Sequence, residues 1–258
     1  MSTQPLKLKP GIIYGPVNSR RLGSSLGLNI LPFRYKACPF NCLYCQYGFT
    51  GARGHIVSLE EMEFPSESDV TYALEEALNE YPLVSYLTFS GNGEPTLHPR
   101  FSRIVDAVKN VRDRFNPEIK VAILSNSALI GNEEVREGLK KLDIRYMKLD
   151  VGDEALFQRF NRPHPEIDFE TIIKGLRALG DITIQSLFAG GPNGNAGEKA
   201  VNAWISRIAE IKPQECHIYS LDRPAADRTL TPLSRDDLER IKYQAEKISG
   251  VTVKVFER

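Results

Sequence analysis

Apolar residues recur at two alternating periods along most of this chain. After residue 65, the stretch SESDVTYALEEALNEY has apolar positions at helical spacing, with Ser66 as its predicted N-cap. The apolar run VSYLTFS follows at strand length and leads to Gly91, and a second helical stripe starts near Pro99. The first helical face consists of Val70, Ala73, Leu74, Ala77, Leu78 and Tyr81.

The same alternation continues to the C-terminus. Predicted strands KVAIL, RYMKLDV, DITIQSLF, CHIYSL and VTVKVF are separated by helical stretches, and Gly180 and Gly250 stand at predicted helix C-caps. With SLGLNILP as the first strand, the pattern gives about six βα units, fewer than the eight of a closed TIM barrel. The sequence therefore predicts an α/β fold, a partial (βα)6 TIM-like barrel of parallel strands.

The chain shows no repeat, low-complexity tract or linker that would mark a domain boundary. We therefore expect one domain over residues 1–258, in which residues 1–25 form an N-terminal arm and residues 26–258 the partial barrel.

Composition and charge narrow the function classes. Lys plus Arg and Asp plus Glu are 33 each, a balance that disfavours a broad nucleic-acid surface but does not exclude a local basic patch. The N-terminus MSTQPLKLKP lacks the apolar core of a signal peptide, and no apolar run approaches the roughly 20 residues of a membrane span. We expect a cytoplasmic protein with no membrane partner.

Three of the four cysteines lie within ACPFNCLYCQYG, as Cys38, Cys42 and Cys45. A disulfide framework favours an even number, and structural zinc takes four ligands, usually as two separated pairs. Three close thiolates instead indicate a metal centre that lacks one protein ligand, such as a 4Fe–4S cluster with one open iron. A zinc knuckle completed by His55 or by the distant Cys216 is the alternative, although Cys216 is expected to be a small buried hydrophobe.

The CxxxCxxC spacing resembles that of the radical S-adenosylmethionine (SAM) superfamily, and Tyr44 matches its aromatic position before the last cysteine. The resemblance implies a 4Fe–4S cluster on the three cysteines, whose open iron chelates the methionine end of SAM. It also implies reductive cleavage of SAM to a 5′-deoxyadenosyl radical and an electron donor such as flavodoxin or ferredoxin.

Further positions resemble the SAM site of that superfamily. Gly91, Asn92, Gly93 and Glu94 follow a strand where the family has Gly-Gly-Glu, with Asn92 as a departure. The resemblance implies that this stretch contacts the SAM amino group, for which a carboxylate is an apt partner. An ordinary glycine-rich turn is the alternative.

Polar residues also end the following strands, and in a parallel barrel these ends share one face. Ser125 and Asn126 resemble the family's polar pair, which reaches the SAM ribose or carboxylate, and Asp150 is a candidate for the ribose hydroxyls. A polar residue that leads into a turn is the alternative for each of them. Gln185 and Tyr219 are further candidates for cofactor binding, with a core residue as the alternative for Tyr219.

Charged residues near the predicted barrel mouth are candidates for substrate binding, because paired arginines clamp phosphates or carboxylates. A solvated surface is the alternative for the arginine pair. These candidates are Arg20, Arg21, Lys148, Asp222 and Arg223.

The NRP triplet after KLD resembles the wybutosine-synthesis branch of the superfamily, with similarity to glycyl-radical-enzyme activases. We therefore expect a single-cluster radical SAM oxidoreductase that abstracts hydrogen from an unidentified substrate, either tRNA-related or a small molecule. The net charge lends no support to tRNA as a partner. The alternatives are an activase that installs a glycyl radical in a partner enzyme, and a non-catalytic metal-binding protein.

Overall fold

The computed structural model describes residues 6–19, 23–49 and 62–256. Eight strands form one sheet whose spatial order is the order of the chain, from β1 to β8. The strands are β1 (Ile13–Ser19), β2 (Gly23–Leu28), β3 (Tyr86–Phe89), β4 (Lys120–Ser125), β5 (Ile144–Lys148), β6 (Thr183–Leu187), β7 (Glu215–Tyr219) and β8 (Val253–Phe256).

Strands β2 to β8 are parallel, and the helices lie between consecutive strands. Within the described ranges β1 and β8 do not pair with each other, so the barrel stays open. This confirms the predicted partial barrel with six βα units. The helices are α1 (Glu67–Glu80), α2 (Phe101–Phe115), α3 (Glu133–Lys140), α4 (Glu154–Leu156), α5 (Phe169–Leu179), α6 (Glu198–Ile211) and α7 (Arg235–Ser249).

The N-terminal region contributes more to the sheet than expected. Strand β1 pairs antiparallel with β2 and forms the edge of the sheet. Part of the predicted arm is thus a strand, and it lacked a clear signal because its sequence IYGPVNS contains Gly and Pro, which strands disfavour.

Local sequence signals set the helix ends. Ser66 and Ser234 each form a capping box with the aspartate three residues later, at the starts of α1 and α7. Gly180 and Gly250 follow α5 and α7 with φ of +60° and +72°, as predicted for C-caps.

The apolar stripes of the helices pack on the outer face of the sheet. Trp204 of α6 is fully buried there, and its Nε1 donates to Leu149 O at 3.0 Å. This packing fixes the segment after β5, where polar site residues begin.

Within the described residues, no helix is both long and apolar enough to span a bilayer.

Candidate cofactor site

The cysteine loop, residues 37–48, follows β2 and is fastened on one side to the loop after β3. Ala37 N donates to Asn92 O at 2.9 Å, and Glu94 N donates to Ala37 O at 2.9 Å. Gly93 has φ of +147°, and a Cβ there would lie 1.7 Å from Ala37 O. Glycine at this position therefore allows the close approach of the two loops.

The other side of the cysteine loop is fastened to the segment after β5. Leu43 N donates to Phe160 O at 2.9 Å, and Asn41 N donates to Arg162 O at 3.0 Å. The partner segment, Phe157–Asn161, forms a π-helical turn, and Arg162 follows it with φ of 48°. Such turns are frequent at functional sites. Two strand ends thus hold the cysteine loop in place.

All three cysteines of this loop, Cys38, Cys42 and Cys45, line one cavity of about 300 Å³. The predicted residues Tyr44 and Tyr219 line it as well. The structure therefore brings the cysteines together with two of the aromatic residues predicted for cofactor binding.

The thiols are not arranged for a single ion. Over the described ranges, no three His, Cys, Asp or Glu side chains lie close enough together to hold one metal ion. Cys216 is fully buried among apolar residues on β7, as expected for a small hydrophobe, and His55 lies outside the described residues. A 4Fe–4S cluster accepts thiolates at separate irons, so three cysteines around one cavity fit a cluster.

Each of the three cysteine sulfurs accepts a hydrogen bond from a side-chain nitrogen. Asn126 Nδ2 lies 3.4 Å from Cys38 Sγ, and Asn161 Nδ2 lies 3.6 Å from Cys42 Sγ. Lys36 Nζ lies 3.4 Å from Cys45 Sγ. N–H donors stabilise thiolates and tune the reduction potentials of iron–sulfur clusters, so this donor set also suits a cluster.

Two of these donors, Lys36 and Asn161, were not among the predicted site residues. Asn161 begins the NRP triplet, which pointed to a branch of the family and not to a sulfur contact. Lys36 gives no signal in the sequence, because a lysine beside a loop is normally exposed.

Burial dominates the acidity of two of the thiols. Desolvation is the main reason why the pKa of Cys38 is raised to about 12 and that of Cys42 to about 11. Lys36 lowers the pKa of Cys38, and Asp150 adds to the rise at Cys42. Both thiols are therefore protonated at neutral pH without a metal, and binding of iron as thiolates would release protons.

Glu94 is buried, and both of its oxygens are used by the protein. Oε1 accepts from Thr96 N at 3.1 Å and from Ser125 Oγ at 2.9 Å, and Oε2 accepts from Asn126 N at 2.5 Å. Burial raises the pKa of Glu94, and these hydrogen bonds oppose the shift. The carboxylate joins the ends of β3 and β4, and its contact with the SAM amino group stays a prediction.

The side chain of Asn92 is likewise hydrogen-bonded within the protein. Its Oδ1 accepts from Lys9 N at 2.7 Å, and its Nδ2 donates to Lys9 O at 2.9 Å and to Pro32 O at 3.0 Å. The neighbouring Gly91 has φ of +135°, and a Cβ there would lie 2.5 Å from Asn29 Oδ1. The side chain of Asn92 therefore fastens the N-terminal segment to the loop, and its contact with a cofactor stays a prediction.

Asp150 is the centre of a buried polar network. Its Oδ1 accepts from Lys148 Nζ at 2.7 Å and from Leu187 N at 2.8 Å. Its Oδ2 accepts from Tyr44 OH at 2.5 Å and from Asn161 Nδ2 at 2.8 Å. The Asp150 carboxylate accepts from four protein donors and thereby connects the cysteine loop to β5 and β6. Its contact with ribose hydroxyls stays a prediction.

Lys148 belongs to the same network. Its Nζ donates to Tyr219 OH at 2.8 Å and lies 4.9 Å from the ring centroids of both Tyr44 and Tyr219. Burial lowers the pKa of Lys148, but Asp150 and Tyr219 more than offset this, so the pKa lies above its ordinary value. Lys148 is therefore a paired cation, with both partners supplied by the protein.

Gln185 lies on β6 in register with Lys148 on one side and His217 on the other. It is 5 % exposed, and its Nε2 has no hydrogen-bond partner within the described part of the chain. Asn161 Oδ1 is in the same condition. Buried polar atoms of this kind normally have a partner, which makes both groups candidates for contact with a bound molecule.

The remaining predicted residues lie at the periphery. Asp222 and Arg223 line the cysteine cavity and also a second cavity of about 540 Å³ beyond β7. Arg20 and Arg21 lie outside the described residues.

The structure thus defines an open α/β barrel whose loop after the first parallel strand brings three cysteines to one cavity. The model of the Radical SAM superfamily matches residues 34–200, more than half of the chain. The chain therefore belongs to the Radical SAM superfamily, whose members use a 4Fe–4S cluster and SAM.

The comparisons agree with this assignment. A UPF0026 protein of Methanocaldococcus jannaschii is 31 % identical over 93 % of this chain and 72 % of its own length. The structure of TYW1 with a lysine–pyruvate adduct bound superposes with a TM-score of 0.64 at 15 % identity, over 89 % of this chain and 76 % of that one. Streptococcus suis SuiB bound to SAM gives 0.62 at 16 % identity, over 90 % of this chain and 50 % of that one. At these identities the two structures show a shared fold.

Proposed function

We propose that this protein is an enzyme that holds one 4Fe–4S cluster on Cys38, Cys42 and Cys45 and uses SAM to abstract hydrogen from its substrate. The observation that carries the proposal is the convergence of these three cysteines on one cavity, each with its own N–H donor. When bound, cluster and SAM supply reductive cleavage of the sulfonium C–S bond, in which one electron gives methionine and a 5′-deoxyadenosyl radical. A reductant such as flavodoxin or ferredoxin would supply that electron.

The protein's own residues would orient the cofactors and exclude water. Asp150 accepts from four protein donors, and Glu94 accepts from Thr96, Ser125 and Asn126. We therefore assign both carboxylates to holding the loops that carry the cysteines and Asn126. A rigid frame of this kind keeps reacting groups in register and limits side reactions of a radical.

Direct contact with SAM falls to groups that line the cavity or lack a partner. Tyr44 and Tyr219 present aromatic surface beside the cysteines. Gln185 Nε2 and Asn161 Oδ1, which have no hydrogen-bond partner among the described residues, offer a donor and an acceptor for polar atoms of a bound molecule. Backbone groups of the Gly91–Glu94 loop complete the proposed set.

The substrate would enter beside Asp222 and Arg223. These residues line both cavities, so they lie between the cysteine site and the larger space of about 540 Å³ beyond β7. One acidic and one basic side chain at this junction would position a substrate through its polar groups.

The test is anaerobic. The protein is reconstituted with iron and sulfide, reduced with dithionite and mixed with SAM, and 5′-deoxyadenosine is quantified. We expect product from the wild type and none from Cys42→Ala. Cys216→Ala is the matched control, since that cysteine lies in the core; it should retain the cluster and the product.

Two results would contradict the proposal. One is a wild-type protein that binds zinc and assembles no iron–sulfur cluster under these conditions. The other is a well-formed cluster that yields no 5′-deoxyadenosine with SAM, either alone or with cell extract supplied as a substrate source. The second result would favour a non-catalytic metal-binding protein.

A further inference from the structure

Lys36 is a buried lysine at the cysteine site. It lies two residues before Cys38, lines the cysteine cavity and is 9 % exposed. Its Nζ donates to Cys45 Sγ at 3.4 Å and to Gly48 O at 3.1 Å. The ammonium group therefore points at the sulfur of a proposed cluster ligand.

No carboxylate neutralises this ammonium group within residues 6–19, 23–49 and 62–256. The contacts of Lys36 Nζ there are the sulfur and the carbonyl oxygen. Lys148, by contrast, has Asp150 Oδ1 at 2.7 Å. A buried charge without a counter-charge is strongly unfavourable, and the described residues supply none for Lys36.

A bound cluster would supply the missing negative charge. Cysteine binds iron as the thiolate, and a 4Fe–4S core with three thiolates carries a net negative charge. Each electron added on reduction makes that charge more negative. A fixed cation in contact with one ligand sulfur stabilises the reduced form more than the oxidised form.

We infer that Lys36 is the built-in counter-charge of the cluster and that it raises the cluster's reduction potential. The inference rests on the proposed function, because it requires a cluster on Cys38, Cys42 and Cys45. The other two sulfurs accept from the neutral amides of Asn126 and Asn161. Lys36 is thus the charged member of the donor set, a positioning residue that acts through Cys45.

The inference predicts that removal of the Lys36 charge destabilises the reduced cluster but stabilises the metal-free protein. Removal of the charge in Lys36→Met disfavours the reduced cluster in the loaded protein. In the metal-free protein the same substitution removes a buried charge that pairs with no carboxylate of the described residues, and it leaves an apolar chain of similar length. The metal-free variant is therefore more stable than the metal-free wild type.

The first measurement is the midpoint potential, from an anaerobic redox titration followed by electron paramagnetic resonance. At a fixed applied potential, Lys36→Met should lower the reduced-to-oxidised ratio about tenfold or more, which corresponds to about 59 mV for a one-electron couple. Lys36→Arg keeps the charge and should stay close to the wild type.

The second measurement is urea unfolding of the metal-free proteins under reducing conditions. Lys36→Met should raise the folded-to-unfolded ratio about fivefold or more. The matched control is Lys148→Met, which removes a paired lysine and should lower that ratio. This readout needs no cluster, so it remains decisive where the variant loads poorly.

The outcomes separate this inference from the proposed function. A wild type that forms no reducible cluster overturns both. A wild type with a normal cluster overturns the inference alone if Lys36→Met leaves the midpoint potential unchanged, or if the metal-free variant is destabilised.

Discussion

Two buried lysines near the cysteines, Lys148 and Lys36, differ in the partners of their ammonium groups. Lys148 lies against Asp150 at 2.7 Å and Tyr219 at 2.8 Å, and its pKa is raised although burial alone would lower it. Lys36 has a sulfur and a carbonyl oxygen as its contacts in the described residues. Lys148 thus has a carboxylate partner without any cofactor. Lys36 is positioned to pair with the negative charge of the proposed cluster.

The two lysines illustrate two roles: some residues hold the site together, and others interact with the cofactor once it is bound. The Asp150 network connects β5 and β6 with the cysteine loop, through Lys148, Leu187 N and Tyr44. It therefore contributes to stability whether or not a cofactor is bound. Lys36 contributes favourably to stability once the negatively charged cluster is bound.

The largest effect is expected for Asp150→Asn. The substitution leaves Lys148 buried without its carboxylate and turns an amide nitrogen toward the donors of Tyr44 or Asn161. Breaking a buried ion pair by removing one partner typically costs about 3–5 kcal/mol, and we expect a loss of that size in the free energy of unfolding. Urea unfolding of the metal-free protein measures it.

The control for this prediction is Asp106→Asn. Asp106 also pairs with a lysine, Lys141, at 2.6 Å, but at the surface. Surface pairs contribute about 0–1 kcal/mol, so the control should be nearly neutral. A double variant, Asp150→Asn with Lys148→Met, should lose less free energy of unfolding than the two single variants do in sum. If the double variant is as unstable as the sum of the single ones, the two side chains are not energetically coupled.

A smaller loss is expected for Lys148→Met. Asp150 then keeps three of its donors, namely Tyr44 OH, Asn161 Nδ2 and Leu187 N. Removal of one charged hydrogen-bond partner from a carboxylate that remains bonded costs about 1–3 kcal/mol. The measurement is again the free energy of unfolding of the metal-free protein, and a loss larger than that of Asp150→Asn would reverse the proposed asymmetry.

Periodicity and cap residues predicted most of the fold. The alternation of the two hydrophobic periods gives the six βα units, and Ser66, Gly180 and Gly250 mark helix ends as the structure has them. These signals act between residues that are close along the chain. Strand β1 lacked them, because its Gly and Pro weaken the strand pattern and its pairing with β2 is what defines it.

The site was predictable where the chemistry is local in sequence. Three cysteines within eight residues indicate a metal centre by spacing alone. The partners of Glu94 and Asp150 come from other strand ends, so the sequence indicated polar residues at one face but not which of them bond to one another. Lys36 shows the same limit, because its burial follows from tertiary packing.

The smallest effect is expected for Glu94→Gln, and its pH dependence is informative. Burial raises the pKa of Glu94 above its ordinary value despite the hydrogen bonds from Thr96, Ser125 and Asn126. The folded protein therefore holds this proton more tightly than the unfolded chain does. The contribution of Glu94 to stability consequently falls as pH rises from about 4.5 through the raised pKa.

Glutamine does not titrate, so the deficit of Glu94→Gln should shrink over that interval. One donor left without an acceptor costs about 1–2 kcal/mol at the acidic end, and less at neutral pH. Urea unfolding of the metal-free wild type and Glu94→Gln at about pH 4.5 and at neutral pH measures the difference in their free energies of unfolding. For the exposed Glu137, the hydrogen bond from Lys140 lowers the pKa, so Glu137→Gln should show the opposite trend. A deficit that widens with pH at Glu94 would mean that its hydrogen bonds outweigh its burial, and that the surrounding donors hold this carboxylate in its charged form.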